Sequence, residues 1–159
     1  MKRRSIAIGS SLMLTALVGC APSQTSPQAD TPQEVTAISL TQTGCQFLEV
    51  ESKDFEFETQ SKADCEQINA ETLAAREADF KPMKLKPGKY VFRVTNRDVP
   101  YELGFYLRGK GANQLTLPKV SGGGLTEGAT KEYEVVLKPG EYLFSCPLNP
   151  TPDYPIVVQ

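Results

Sequence analysis

The stretch Leu137–Gln159, LKPGEYLFSCPLNPTPDYPIVVQ, constrains the fold of this chain more than any other. Pro139-Gly140 is a turn signal, and Glu141 to Cys146 follows as a short run rich in aromatic and aliphatic residues. Prolines at 147, 150, 152 and 155 then fix φ and remove backbone donors, which marks a rigid loop. Ile156, Val157 and Val158 are β-branched and suit a final buried strand. The layout is strand, loop, strand, with a cysteine at the first junction.

The same turn chemistry occurs earlier. Leu85-Lys86-Pro87-Gly88-Lys89-Tyr90-Val91-Phe92 returns as Leu137-Lys138-Pro139-Gly140-Glu141-Tyr142-Leu143-Phe144. Each copy predicts a Pro-Gly turn that delivers the chain into a strand. Eight residues are too few for a solenoid unit, so the copies read as two separate strands of one sandwich.

Further strands are expected over Val35–Leu40, Cys45–Glu51, Phe55–Thr59, Tyr101–Leu107 and Lys131–Leu137. Phe55-Glu56-Phe57-Glu58 alternates strictly, as a half-buried strand does, and suggests a hairpin about Ser52-Lys53-Asp54. Between Ser61 and Asp79 the composition shifts to Ala, Glu and Gln, predicting a helix of two to three turns N-capped by Asn69. Gly122-Gly123-Gly124 reads as a loop. It lacks the following helix that a phosphate cradle requires. Seven to nine short strands and one helix describe an all-β Greek-key sandwich with a short helical insert.

At the other end, Lys2-Arg3-Arg4 precede an apolar run, Ser5–Val18, too short to span a bilayer and suited to a secretory signal. Leu17-Val18-Gly19-Cys20 resembles a bacterial lipobox, which implies cleavage before Cys20 and acylation (palmitate among the chains) of that cysteine. Residues 21–34 are Pro, Ser, Thr and Gln-rich, the composition of a tether. The expected organisation is therefore signal peptide 1–19, lipidated cysteine and tether 20–34, and domain 35–159, anchored on the extracytoplasmic (periplasmic) face of a membrane. Removing residues 1–19 takes three cations and no acid, so the charge falls from −2 to −5. An acidic body argues against nucleic acid as a partner.

The cysteine-loop-strand ending, with Val94-x-Asn96, Glu127-Gly128-Ala129-Thr130 and Leu137-x-Pro139-Gly140-x-Tyr142-x-Phe144-x-Cys146, resembles the cupredoxin family. The resemblance covers roughly Phe80–Gln159 well and Val35–Asp79 poorly. In blue-copper members the loop after the cysteine supplies a histidine and a methionine, and an earlier strand supplies a second histidine. Those positions fall here on Asn149, Tyr154 and Tyr101. The chain has no histidine at all, whereas a blue-copper site needs two imidazoles with a thiolate. Of the ligand set only Cys146 remains, so the resemblance implies the fold with a degenerate copper site.

Three cysteines lie in the expected domain, at 45, 65 and 146, in an oxidising compartment. Three pairings are open from sequence. The resemblance favours Cys45–Cys65, because Cys146 takes a loop position buried in that family. A free Cys146 is a soft candidate for Cu(I) with Met83. Glu102 and Asp153 offer hard oxygens for a divalent ion. A likeness to cupredoxin-like domains of periplasmic iron-uptake proteins points the same way, toward iron. Against both stands the plainer reading: Tyr101 and Tyr154 plug a vacated pocket while Asn149 satisfies loop backbone groups.

No enzyme is expected, since there is no imidazole for proton transfer and no nucleophile–base signature. The leading expectation is a lipid-anchored module without blue copper that binds a protein partner or supports a membrane complex. The alternative is a metal-handling lipoprotein using Cys146 or the carboxylates. Electron transfer would need a redox centre that these residues do not build.

Overall fold

In the computed structural model residues 34–51 and 53–159 are described, and the expected signal peptide, Cys20 and tether lie outside them. The described chain runs β1 (Val35–Thr43), β2 (Gln46–Phe47), α1 (Lys62–Glu77), β3 (Met83–Leu85), β4 (Gly88–Asn96), β5 (Leu103–Gly109), a 3-10 helix (Gly111–Leu115), β6 (Val120–Leu125), β7 (Thr130–Leu137), β8 (Gly140–Ser145) and β9 (Tyr154–Val158).

Two sheets form, in the orders β2-β1-β4-β7 and β3-β9-β8-β5-β6. β4 pairs with β7 and β5 with β8, so neighbours in space are distant in sequence, as Greek-key connections require. The inward residues of both sheets, among them Leu40, Phe92, Phe105, Phe144 and Ile156, make one buried cluster. Phe47, Phe105, Phe144 and Tyr154 meet there with ring centroids 5.2 to 6.3 Å apart. The all-β sandwich with a helical insert is the architecture observed.

The repeated octapeptide acts as a pair of sheet crossovers. The first copy carries the chain from β3 in the five-stranded sheet to β4 in the other; the second carries it back, from β7 to β8. In each, the tyrosine hydroxyl returns to the carbonyl of the turn lysine: Tyr90 to Lys86 at 2.8 Å and Tyr142 to Lys138 at 2.9 Å. Proline has no N–H to brace such a turn, and the tyrosine supplies the brace from the strand.

Three expectations are corrected. The helix has 16 residues and starts after Ser61; the Asp64 carboxylate accepts the backbone N–H groups of Gln60 and Ser61, both at 2.8 Å. Asn69, expected as its cap, sits mid-helix and hydrogen-bonds the Pro150 carbonyl. Phe55–Thr59 is not a strand, and β2 shrinks to two residues. Glu56 takes φ 55°, and the two phenylalanines stack on each other at 5.4 Å beneath the Arg76 guanidinium, so their alternation serves a cation–π stack. Finally, the triple glycine lies within edge strand β6. A Cβ on Gly122 would come within 2.9 Å of the Tyr133 ring, so glycine there admits a neighbouring side chain.

Candidate functional site at the cysteine loop

Strand β8 ends at Ser145 and places Cys146 at the mouth of the proline loop, wholly buried. Its sulfur receives the backbone N–H groups of Gly104 at 3.2 Å and Asn149 at 3.3 Å. The loop is braced on itself, since Cys146 N–H donates to Thr151 Oγ1 at 2.8 Å and Thr151 N–H to the Cys146 carbonyl at 3.3 Å. Burial pushes the thiol up from its ordinary value, and the backbone donors offset part of that rise. The thiol is free, and the disulfide joins Cys45 to Cys65.

Asn149 is the hub. Its Nδ2 donates to the Thr43 carbonyl at 2.9 Å, and its Oδ1 accepts from Cys45 N–H at 3.1 Å and from the Tyr101 hydroxyl at 3.0 Å. The same oxygen lies 2.9 Å from Cys65 Sγ. A half-cystine carries no proton, so this last approach is a packing contact rather than a hydrogen bond. Tyr101 Oη also lies 3.3 Å from Thr59 Oγ1, whose hydroxyl can donate to it, and burial raises the Tyr101 hydroxyl above the ordinary tyrosine value.

Tyr154 points into the same end of the core. Its hydroxyl donates to the Glu51 carboxylate and accepts from Phe47 N–H at 3.3 Å. Burial first, and the Glu51 charge second, raise it far above an ordinary phenol. Glu51 is held in turn by Arg76 through Nε–Oε2 at 2.9 Å and Nη2–Oε1 at 2.5 Å. Arg76 also reaches the Cys45 carbonyl at 3.1 Å and Asn69 Oδ1 at 2.8 Å. Helix α1 is thus fixed over the cysteine-loop end by one disulfide, one buried ion pair and the Asn69–Pro150 bond.

The structure brings Cys146, Tyr101, Asn149 and Tyr154 to one end of the sandwich, sets Met83 away from it, and engages Glu102 and Asp153 with separate partners. Met83 pairs with Ile156, which pairs with Tyr142 on β8. Cys146 lies four residues beyond Tyr142, about 13 Å along the strand, out of reach of a methionine side chain. Glu102 accepts Gly124 N–H at 2.6 Å, while Asp153 pairs with Arg108 at 2.6 and 2.7 Å. These two carboxylates do not converge, and no group of three metal-capable side chains occurs among the described residues.

The copper of the resembling family does not fit these residues. No imidazole is present, both ends of the Asn149 amide are spent on backbone groups, and the Tyr154 proton is committed to Glu51. A single thiolate with amide and phenol neighbours lacks the nitrogen donors of the trigonal set.

Glu51, Arg76 and Thr59 escaped sequence reasoning. Glu51 stands at the edge of an expected strand and Arg76 in an Ala/Glu-rich helix, where a charge ordinarily faces water. Nothing local to either marks the pair. Gln42 Oε1 and Thr43 Oγ1, also unforeseen, are buried with no hydrogen-bond partner among the described residues.

No protein-family model matches the chain, and no curated protein matches it. Among solved structures, Lac15 from a marine microbial metagenome aligns over 94% of this chain at 16% identity with a TM-score of 0.39. A multi-copper oxidase from Pediococcus acidilactici aligns over 94% at 9% identity with a TM-score of 0.38. The chain covers 32% and 30% of those two proteins, about a third of their length. Likeness at this level decides nothing about activity, and the architecture rests on the strand order given above.

Proposed function

We propose that this chain is a lipid-anchored, extracytoplasmic, cupredoxin-like module that carries no blue copper and works by binding a protein partner or supporting a membrane complex. The observation that carries the reading is the use made of the three positions where the resemblance expects copper ligands. Tyr101, Asn149 and Tyr154 spend their polar groups on Thr59, Thr43, Cys45, Phe47 and Glu51, and so hold the loop and helix closed. Groups committed in this way stabilise an end of the domain and are not free to take up an ion. A rigid end whose polar groups are already committed suits the recognition of a partner surface.

A second reading, metal handling, draws on one feature: two backbone N–H groups point at the Cys146 sulfur, an arrangement that suits a thiolate. One experiment separates the two. The purified chain is titrated with Cu(I), Cu(II) and Fe(II) beside its Cys146→Ser variant, with thiols counted in parallel. The proposal expects no saturable binding by either protein. Stoichiometric binding that disappears in the serine variant would make this a metal carrier instead.

A further inference from the structure

The end of the sandwich opposite the cysteine loop has a composition of its own. β1 starts there, with Val35 beside Lys89, and so do β4 and β8. Both Pro-Gly crossovers lie at this end, and so does the 3-10 helix, tied to it by Lys110 N–H on the Glu141 carbonyl at 2.9 Å. Lys86, Lys89, Lys110, Lys119 and Lys138 are all exposed around it. Of these only Lys110 forms an ion pair with a described residue, Glu141 at 3.5 Å. With Lys2, Arg3, Arg4 and Asp30 lying earlier, residues 34–159 carry a net −4, so five lysines against the exposed acids Glu34 and Glu141 at this end make a polarised distribution.

Leu115, the last residue of the 3-10 helix at this end, is 91% exposed. A single exposed leucine is ordinary, but this one is displayed by a built loop. Asn113 O accepts Thr116 N–H at 3.2 Å and Leu117 N–H at 2.9 Å, closing the turn behind it. Leu117, two residues on, packs over Gly140, where an added Cβ would come within 2.7 Å of its methyl. One leucine is anchored so that the other is held out.

We propose that this lysine-rich end is a docking surface for an anionic lipid bilayer, with Leu115 entering the headgroup layer and the lysines meeting lipid phosphates. The inference rests on the lipid-anchored reading for one of its two supports: the chain enters the domain at this same end. Residues 21–34 separate Cys20 from β1, and a chain of that length spans at most about 50 Å. The second support, an exposed apolar tip near five exposed lysines of which only Lys110 is ion-paired with a described residue, is independent of the anchor and is a pattern that binds membrane interfaces. Docked this way, the domain turns its cysteine-loop end and helix α1 away from the membrane.

The test uses the full chain with its anchor, mixed with phosphatidylglycerol–phosphatidylethanolamine vesicles. An environment-sensitive fluorophore is placed on Leu115→Cys, or, as control, on Leu148→Cys at the far end; buried Cys146 stays unlabelled. The expected result is a blue shift and bromolipid quenching at 115 but not at 148. Lys119→Gln and Lys138→Gln should each weaken the inserted state about fivefold, and phosphatidylcholine vesicles should not support it. Flotation and the mass of Cys20 report the anchor separately. A chain that floats while the label at 115 stays in water overturns the docking and leaves the anchor standing. A chain without acyl mass that still shows the shift, also when Cys20→Ser confines the label to position 115, does the reverse. A shift at 115 that needs no vesicles would mean a protein contact and would also overturn the proposal.

Discussion

Arg76 and Glu51 form a two-bond ion pair with side chains 2% and 1% exposed, joining helix α1 to the chain just after β2. Such a pair contributes little relative to a hydrophobic replacement, because desolvation offsets most of the attraction, yet breaking it strands a buried charge. Here the stranding is compounded, since Glu51 also accepts from Tyr154 and Arg76 also holds the Cys45 carbonyl.

Arg76→Ala is therefore expected to cost about 3–5 kcal/mol, read as a lower urea midpoint with unchanged slope. Glu51→Gln should cost at least as much, because it leaves the buried Arg76 cation without its counter-charge and turns an amide N–H toward an arginine donor. A double variant, Glu51→Leu with Arg76→Met, should recover much of the loss. If Arg76→Ala leaves the midpoint unmoved, the pair does not hold the helix.

The Cys45–Cys65 bridge closes a 20-residue separation that contains the irregular Phe55–Thr59 segment. Chain-entropy reasoning gives such a loop about 3 kcal/mol. Replacing both cysteines by serine should lower the unfolding free energy by about that amount, read as a lower urea midpoint. In the unreduced native protein Cys146 should resist thiol reagents until the domain unfolds. Rapid labelling of Cys146 in the folded chain would contradict its burial.

Stability should fall in alkali in a defined window. Burial raises the folded thiol of Cys146 above its ordinary 9.0, and raises Tyr154 above 10.0. The folded chain then holds these protons more tightly than the unfolded one. The stability is complete below about pH 9 and is lost as pH climbs toward the folded values. Urea midpoints measured from pH 7 to pH 11 should decline from about pH 9, the first part of the decline disappearing in Cys146→Ala. A flat profile through pH 10.5 would sink the prediction.

Asn149→Ala removes the buried side-chain partner of the Thr43 carbonyl and of the Cys45 N–H, and is expected to cost about 1–3 kcal/mol. Asn149→Asp keeps the acceptor but turns a donor into a second oxygen facing the Thr43 carbonyl, so it should rescue little. Midpoints equal to the parent in both variants would show that water replaces the amide.

Gly104 holds β5 against β6 at a bulge, and its N–H serves the Cys146 sulfur. An added Cβ would lie 2.7 Å from the Gly122 carbonyl, a backbone atom with little room to move. Gly104→Ala should destabilise by about 1–3 kcal/mol and make Cys146 label faster in the folded state. Unchanged labelling and midpoint would place the strain elsewhere.

The sequence by itself determined the sandwich, because strands, Pro-Gly turns and proline loops are written in local chemistry that each short stretch carries alone. Leu85–Phe92 and Leu137–Phe144 predicted two strands, and both formed as β4 and β8. The loss of imidazole ligands was equally legible, being a matter of composition. Local reading failed where a residue's role was set by a distant partner. Phe55 and Phe57 looked like a strand face until Arg76 came over them. The triple glycine looked like a loop until Tyr133 lay against Gly122. Asn149 and Cys45 stand 104 residues apart, and only the tertiary structure put amide against backbone. Long-range pairings of this kind depend on the whole chain closing around them, so no window of sequence contains them.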